Sequence, residues 1–352
     1  MDRKKVEFIV REALAKFPNI HGTIMVSKGN ELIYHKGFSY VDAPFQTDKS
    51  AQYLIASLTK QFTAAAILRA LYDNKLEQGI SESSSEELKG LVLKDLQSPL
   101  SDFLDQEHLI WNGAMPEWSH QVTLHHLLTH TSGVKSYNEP LEFIPSENYA
   151  YSNVGYILIG EVIQEITREP LEAYFKRVLF DPAQMNDTYL PLRRTFLGLK
   201  DESKFQKLSL GFESNPSSTQ RVFNSTEENI HFDKLSTSGA MVSTAQDLVK
   251  WNQSFYNGHI IPSFLVNMMV TKHTPKETYS FYDGSDTLWY GYGLDIHEER
   301  GERVYQHCGG TRGYQGRLSY NPKTNITIVN LSNISEEEPS IFTCVNRLRD
   351  LL

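Results

Sequence analysis

Residues 54–72, which read LIASLTKQFTAAAILRALY, are the most informative segment of this sequence. They contain a serine and a lysine three positions apart, Ser57 and Lys60. From Phe62 onward the segment is rich in alanine and leucine, which have high helix propensity, so a helix is expected here. Residues three apart lie on one face of a helix, about one turn from each other, and this spacing brings Ser57 close to Lys60. At the first turn, the serine also faces the free backbone N–H groups and the positive end of the helix dipole.

A serine hydroxyl is a weak nucleophile unless a neighbouring base takes its proton. Lys60 is a candidate base, because burial in the apolar face of the helix would lower its pKa. The same spacing recurs at Ser132 and Lys135, but Gly133 between them has the pattern of a helix C-cap, which puts Ser132 at the wrong end of the dipole. Spacing alone does not make Ser57 catalytic, so other motifs are needed.

A second motif, Tyr151-Ser152-Asn153, stands just before an apolar segment with helical periodicity. A phenol beside a lysine cation loses its proton more easily and can act as an acid or a base. Asn153, two positions on, can bond both the lysine and a substrate amide. Tyr151 and Asn153 are therefore candidate site residues.

A third motif, His307-Cys308-Gly309-Gly310, has the pattern of a strand that runs into paired glycines. Glycine in a strand allows another backbone to approach closely, so Gly309 and Gly310 are candidates for substrate binding. A backbone N–H of this strand can complete an oxyanion hole with the N–H of Ser57. Cys308 lies between these residues, and its thiol is expected to line the cleft.

The order of the three motifs resembles that of the class C β-lactamase and DD-peptidase group of serine hydrolases. That group carries Ser-x-x-Lys, Tyr-x-Asn, and Lys-Thr-Gly or His-x-Gly, and its sister class A has Ser-Asp-Asn and Lys-Thr-Gly at the last two places. The likeness extends over most of the chain, in residues 57–68, 124–134, 151–166, 238–251 and 307–314. The resemblance implies the β-lactamase/transpeptidase-like fold.

The resemblance also implies a role for each motif residue. Ser57 attacks a carbonyl and forms an acyl-enzyme, while Lys60 and Tyr151 share the proton transfers, and the sequence does not decide which of the two is the base. Asn153 orients Lys60 and the substrate amide. The implied substrates are an ester, a D-amino-acid peptide bond as in a D-Ala-D-Ala carboxypeptidase, or a β-lactam.

Two departures from the family pattern affect the implied substrate. His307 occupies the place of the third motif's cation, with Cys308 in place of threonine, and histidine here is more typical of the family's DD-peptidases and esterases than of efficient β-lactamases. The N–H groups of Ser57 and Gly310 form the implied oxyanion hole. The interval of 18 positions from Gly133 to Tyr151 is short for the family, which predicts a more open cleft.

Hairpin patterns near both ends of the chain predict an α+β fold, with one antiparallel sheet assembled from both termini and flanked by helices. A mainly helical region is inserted between them. We expect one β-lactamase-like unit over residues 1–352, with a sheet subdomain of about 1–50 plus 270–352 and a helical subdomain of about 51–269. The predicted hairpins are 23–35 and 315–331, the predicted helices are 4–17, 57–73, 123–131, 153–168, 170–180, 244–256 and 341–352, and the predicted solvated loops are 81–87, 213–219 and 336–338.

Composition and charge exclude several classes of protein. The 352 residues carry 43 acidic and 34 basic side chains, and a net charge of -9 offers no basic surface for nucleic acid. Apolar runs such as 64–68 are far shorter than the ~20 residues that span a bilayer. Two cysteines, Cys308 and Cys344, are too few for a disulfide framework or a four-cysteine zinc site. Reduced thiols are expected, with a single bridge between the two as the alternative.

Charged residues throughout positions 2–12 leave no room for the apolar core of a signal peptide. The sequence as written therefore predicts a cytoplasmic protein, with a periplasmic or secreted location as the alternative if further sequence precedes it. The expected partner is a small-molecule or short peptide substrate, with no nucleic acid, no membrane span and no cofactor. The sequence does not predict an oligomeric state.

Two alternatives to a serine hydrolase were considered. His126 and His130 are four apart on a predicted helix and could bind zinc, but the third ligand and the glutamate of a metalloprotease motif are missing. A non-catalytic protein on the same fold, which binds peptides or a partner in its cleft, is the other alternative. The presence of Ser57, Lys60 and Tyr151 together argues for the enzyme.

Overall fold

The computed structural model describes residues 3–16, 21–38, 48–111, 113–191, 207–209, 211–213, 222–223, 232–274, 278–279, 287–299, 301–311, 313–335 and 348. The strands are β1 (Gly22–Lys28), β2 (Glu31–Phe38), β3 (Tyr53–Leu54), β4 (Phe212–Glu213), β5 (Val222–Phe223), β6 (Val242–Ser243), β7 (Thr278–Tyr279), β8 (Thr287–Tyr290), β9 (Asp295–Glu299), β10 (Glu302–Thr311), β11 (Tyr314–Asn321), β12 (Ile326–Ser332) and β13 (Ile334–Ser335).

One described helix precedes β1, and the others lie between β2 and β7 in the sequence. They are α1 (Arg3–Lys16), α2 (Thr59–Glu77), α3 (Ser85–Leu96), α4 (Leu124–Leu128), α5 (Asn153–Thr167), α6 (Leu171–Phe175), α7 (Phe232–Gly239), α8 (Ala245–Tyr256) and α9 (Ser263–Met269). A π-helix, Lys176–Phe180, follows α6, and short 3-10 helices occur at Ala56–Leu58, Leu100–Asp102, Leu109–Trp111 and Glu117–His120.

Eight of the described strands form one sheet in the order β2-β1-β12-β11-β10-β9-β8-β7, and each neighbouring pair in it is antiparallel. The hairpin β1–β2 joins the hairpin β11–β12 through the pairing of β1 with β12, in which Met25 lies opposite Val329. The sheet is therefore assembled from strands near both ends of the chain. This topology confirms the predicted fold class.

Side chains alternate between the two faces of the sheet, and each face packs on a different layer. On one face, Ile24 and Ile328 lie in a cluster with Val6 and Val10 of α1. On the other face, Met25 and its neighbours join the large core that contains α2, α5 and α8. The sheet is thus a middle layer, with α1 on one side and the helical region on the other.

Helix α2 lies at the centre of the helical region, and its residues from Thr59 to Leu68 are all buried. Its alanines allow close packing against α5 and α7, and Phe62 stacks near Trp251 of α8 with ring centroids 4.2 Å apart. Burial of a phenylalanine side chain contributes about 1.5–3 kcal/mol to folding. The helix is a rigid base for the residues at its first turn.

Two glycines permit the sheet to approach the start of α2. A Cβ on Gly309 of β10 would lie 2.4 Å from the Ile55 carbonyl oxygen, and one on Gly293 would lie 2.5 Å from the Lys60 carbonyl oxygen. Gly293 also has a φ of +76°, which favours glycine. Any larger residue at either position would push the sheet away from Ser57.

Local differences from the predicted elements have simple causes. Residues 81–87 were predicted to be a solvated loop, but α3 begins at Ser85, where Glu86 and Glu87 favour the positive end of the helix dipole. Gly133 is not a helix C-cap, because α4 ends at Leu128. Most of the predicted closing helix, residues 341–352, lies outside the described residues, as do the segments 214–219 and 336–338.

Candidate active site

Ser57 lies in the tight 3-10 turn that connects β3 to α2. Ala56, just before it, has a φ of +48°, a left-handed conformation that costs an L-residue about 1–2 kcal/mol. The turn is held by Thr59, whose Oγ1 donates to the Ala56 carbonyl at 2.7 Å and accepts from the Met241 N–H at 3.2 Å. Such strain is common at functional sites, and here it leaves the Ser57 side chain half-buried at the surface of the core.

The Lys60 ammonium group reaches back along the helix to Ser57. Its Nζ lies 3.1 Å from Ser57 Oγ, 2.8 Å from Asn153 Oδ1 and 2.7 Å from the Ser238 carbonyl oxygen. The last two atoms can only accept hydrogen bonds. The serine hydroxyl is the one partner of the three that can also donate to the lysine.

Burial governs the charge of Lys60. The side chain is fully buried, and this lowers the pKa of Lys60 well below its ordinary value. A neutral amine has two N–H donors and one lone pair. In that form, N–H donors directed at Asn153 and Ser238 would leave the lone pair for the Ser57 hydroxyl.

Tyr151 lies beside this pair. The Lys60 Nζ is 4.7 Å from the centroid of the Tyr151 ring, and the His307 ring centroid is 6.3 Å from it. The Tyr151 side chain is half-buried. The phenol ring is therefore in direct contact with the candidate base and close to the third motif.

Asn153 is the first residue of α5, and the sequence around it explains its position. Ser152 is the N-cap, since its Oγ accepts from the Gly155 N–H at 3.1 Å and donates to the Val134 carbonyl at 2.6 Å. This cap fixes the helix start and directs Asn153 Oδ1 to Lys60. Asn153 is exposed, so its side chain is accessible to solvent while its Oδ1 bonds Lys60.

His307 is nearly fully buried in β10, and both of its ring nitrogens have partners. Nδ1 lies 2.5 Å from the Cys308 carbonyl oxygen, so it must donate, and Nε2, 3.1 Å from the Tyr290 hydroxyl, then accepts. Burial in β10 is the largest cause that lowers the pKa of His307, to about 3. The imidazole is neutral at pH 7 and does not supply the cation of the third motif.

The glycine strand forms an open edge next to Ser57. Strand β9 pairs with β10 only as far as Gln306, so residues 307–311 have no strand neighbour on that side among the described residues. Gly309 lies against the 3-10 turn, where an added Cβ would be 3.1 Å from the Ser57 nitrogen, and Gly310 is exposed. An extended substrate can pair with this edge.

The Cys308 thiol does not line the cleft. In β10 it points to the face opposite His307 and Gly309, as the alternation of side chains along a strand requires. It is buried there, with the Arg317 Nε 3.0 Å from its Sγ. Arg312, the next charged residue along the chain, lies outside the described residues.

Three groups at the site were missed by sequence reasoning. The Ser238 carbonyl, the Tyr290 hydroxyl and the His130 ring lie on other elements, and no motif connects them with Ser57. The Ser238 carbonyl belongs to the backbone, which every residue type has, so the amino-acid sequence does not reveal its role. The clustering of tyrosines at residues 149, 151 and 156 was the only available sign of the aromatic surroundings of Lys60.

The histidines considered as zinc ligands face different partners. His126 Nδ1 accepts from the Thr123 N–H, whereas His130, beyond the end of α4, accepts from the Ser152 N–H. Across the described part of the chain, no group of three or more His, Cys, Asp and Glu is arranged to hold a metal ion. Nor does any helix in that part have the length and apolar character to cross a membrane.

Comparison with known proteins places this geometry in a wider context. The chain is similar to Penicillin-binding protein 4* of Bacillus subtilis (strain 168), with 25% identity over 93% of this chain and 71% of that protein. It is also similar to Protein flp of Staphylococcus aureus (strain MW2), with 24% identity over 95% of this chain and 64% of that protein. The chain thus spans about two thirds of the length of these relatives.

Solved structures resemble the whole chain. An octameric penicillin-binding protein homologue from Pyrococcus abyssi has a TM-score of 0.75 at 25% identity, over 100% of this chain and 78% of that one. A D-amino acid amidase from Ochrobactrum anthropi SV3 shares the fold, with a TM-score of 0.72 at 19% identity, over 98% of this chain and 96% of that one. The Beta-lactamase family model matches residues 10–343. The chain therefore belongs to the Beta-lactamase family, a family of serine hydrolases.

Proposed function

We propose that this protein is a serine hydrolase that forms an acyl-enzyme at Ser57 and then transfers the acyl group to water. The observation that carries the proposal is the 3.1 Å separation of Ser57 Oγ from the fully buried Lys60 Nζ. A nucleophile and a base within hydrogen-bond reach, with the base held by further groups, is the arrangement that activates serine.

The hydrogen bonds of Lys60 support its role as the first base. With its two N–H groups held by Asn153 and Ser238, the neutral amine accepts the Ser57 proton as Oγ attacks the substrate carbonyl. Tyr151, in contact with the Lys60 amine, passes the proton to the leaving group. Water then attacks the acyl carbonyl and gives one proton to the Lys60 and Tyr151 pair. That proton passes to Ser57 Oγ as the bond between Oγ and the acyl carbon breaks.

The backbone N–H groups of Ser57 and Gly310 are the proposed oxyanion hole. The packing of Gly309 against the 3-10 turn brings the two segments together. Each oxyanion donor contributes roughly 10²–10³ to the rate. A positioned base contributes about 10²–10⁴. The proposed acceleration thus comes from a small number of groups on α2, α5 and β10.

The state of His307 supports esters and amides as substrates ahead of carboxylate-bearing D-peptides and β-lactams. The ring is neutral and both of its nitrogens are engaged within the protein, so His307 contributes no charge to a substrate carboxylate. The open edge of β10 still accepts an extended peptide backbone. A similar fold serves the D-amino acid amidase of Ochrobactrum anthropi SV3, and we propose D-amino-acid amides and esters as the first substrates to assay.

Intact-mass analysis after exposure to a fluorophosphonate tests the proposal. We expect one adduct, mapped to Ser57 by peptide mass spectrometry, and none in a folded Ser57→Ala variant. A benzylpenicillin arm and a panel of D-Ala-D-Ala peptide, D-amino-acid amides and short acyl esters then rank the substrates. A folded protein with no adduct from any reagent would contradict the enzyme and leave the peptide- or partner-binding alternative.

A further inference from the structure

His130 is a fully buried histidine that contacts Tyr151 but cannot reach a substrate. It follows α4 and has a φ of +58°, an uncommon conformation for a residue with a side chain. It lies within the segment 124–134, for which the motifs gave no chemical role. Its position under the candidate acid–base residue calls for a physical explanation.

The backbone on both sides of Tyr151 is hydrogen-bonded to His130. The Ala150 N–H donates to the His130 carbonyl oxygen at 2.9 Å, and the Ser152 N–H donates to His130 Nδ1 at 3.0 Å. One residue thus holds the peptide groups before and after Tyr151. These two bonds set where the Tyr151 Cα lies and how its side chain leaves the backbone.

The His130 ring also packs against the phenol itself. The centroids of the His130 and Tyr151 rings are 4.3 Å apart, with planes inclined by 36°. The imidazole centroid is also 4.7 Å from that of the Tyr290 ring, whose hydroxyl bonds His307. The Tyr151 phenol therefore packs against a fully buried imidazole that itself packs against Tyr290.

These contacts come with two unfavourable features. Because Nδ1 accepts a hydrogen bond, the neutral ring carries its proton on Nε2, which has no hydrogen-bond partner among the described residues. A buried unsatisfied donor costs about 1–3 kcal/mol. The positive φ adds a backbone cost. An apolar side chain would fill the same volume without the first cost, but it would not hold Ser152.

We propose that His130 is a positioning residue that fixes the Tyr151 phenol against Lys60 and Ser57. The inference rests on the proposed function, since it assigns to Tyr151 a part in the proton transfers. It extends that function by naming the group that holds the proton carrier in place. His130 itself touches neither substrate nor reacting atoms.

Two variants separate the contacts of His130. His130→Asn tolerates the positive φ and offers Oδ1 near the position of Nδ1, so it keeps the bond to Ser152 and loses the ring. His130→Ala loses both. His126→Asn is the matched control, because His126 in the same segment also accepts a backbone N–H, from Thr123, while its Nε2 lies 2.9 Å from the Ser146 hydroxyl.

The measurement is the rate at which a fluorophosphonate labels Ser57, in wild-type and Tyr151→Phe backgrounds, with thermal unfolding as the folding check. We expect His130→Ala to slow labelling about 10²-fold, as a displaced catalytic group does. His130→Asn should slow labelling less than His130→Ala does. If the alanine variant does not fold, the asparagine variant alone is compared with wild type. In the Tyr151→Phe background, either change should cost less than about threefold, because the two residues act as one unit. His126→Asn should react at the wild-type rate.

Equal losses in both backgrounds, or wild-type rates in the folded His130 variants, would overturn the proposal. A loss in His126→Asn equal to that in His130→Asn would overturn it too, because the effect would then be general destabilisation. An unlabelled wild-type protein would overturn the proposed function, and this inference with it. If wild type is labelled and the folded His130 variants are labelled at the same rate, only this inference is overturned and the proposed function stands.

Discussion

Lys60→Met tests the central electrostatic claim about the site, that a buried lysine is neutral there. Methionine is unbranched and of similar length, so it fills the same space with little repacking. It removes the Nζ that lies near Ser57 Oγ and the Ser238 carbonyl. The variant should be folded and should label with fluorophosphonate about 10²–10⁴ times more slowly than wild type, the contribution of a positioned base.

The same variant should change how stability depends on pH. Burial lowers the pKa of Lys60 in the folded protein, whereas in the unfolded chain the pKa stays near 10.5. Between these two values the unfolded state binds one more proton, so the unfolding free energy of wild type rises with pH. The slope contributed by one such group is about 1.4 kcal/mol per pH unit. Lys60→Met removes that contribution, and its slope should be smaller by this amount.

Urea unfolding at pH 8, 9 and 10 measures the slope in both proteins. The difference isolates Lys60, since every other titrating group is common to the two chains. The loss of a partner for the buried Ser238 carbonyl costs about 1–3 kcal/mol, but it is independent of pH and leaves the slope unchanged. Parallel curves would refute the reasoning, because Lys60 would then be charged in the folded protein. Lys75→Met, roughly 22 Å along the same helix, should keep the wild-type labelling rate.

Three further predictions concern the strand and its neighbours. Gly309→Ala should lower both thermal stability and the labelling rate, because its Cβ would lie 2.4 Å from the Ile55 carbonyl oxygen; retention of both would contradict the close packing of β10. Tyr290→Phe removes the hydroxyl that bonds His307 Nε2, so the unfolding free energy in urea should fall by about 1–3 kcal/mol; an unchanged value is the contrary outcome. A histidine in the unfolded chain has a pKa of about 6.5, whereas folded His307 has a pKa of about 3. The unfolding free energy of wild type should therefore fall as the pH drops from about 6.5 to about 3, and that of His307→Gln should fall less. Equal pH profiles of the two proteins would contradict a neutral buried ring.

The parts of the site that local spacing determines could be predicted from the sequence. Ser57 and Lys60 meet because they are one helical turn apart, and Asn153 reaches Lys60 because Ser152 caps the helix that it begins. The sheet from both ends of the chain was predictable because the hairpins near each end have clear alternation and turn residues. These features depend on neighbours in the sequence or on motifs that carry their own chemistry.

Other features depend on packing between distant segments and could not be predicted. The neutral state of His307 follows from its burial and from Tyr290, which lies on another strand. The side of the strand to which Cys308 points was misjudged because its motif neighbours face the cleft, while alternation turns its own thiol away. The roles of Ser57, Lys60 and Tyr151 in catalysis stay predictions until the adduct is measured.

The pairing of β1 with β12 has a consequence for when the chain can fold during its synthesis on the ribosome. Met25 of β1 is synthesised before Val329 of β12, with which it pairs. At ~5–20 residues per second, the time between the two is roughly 15 seconds to a minute. During that time α2 and Ser57 have emerged, but the strand that contains Gly309 has not. A partly synthesised chain can therefore bury its helical region and still lack a hydrolytic centre. The site is therefore complete only after β10 has been synthesised and has joined the sheet.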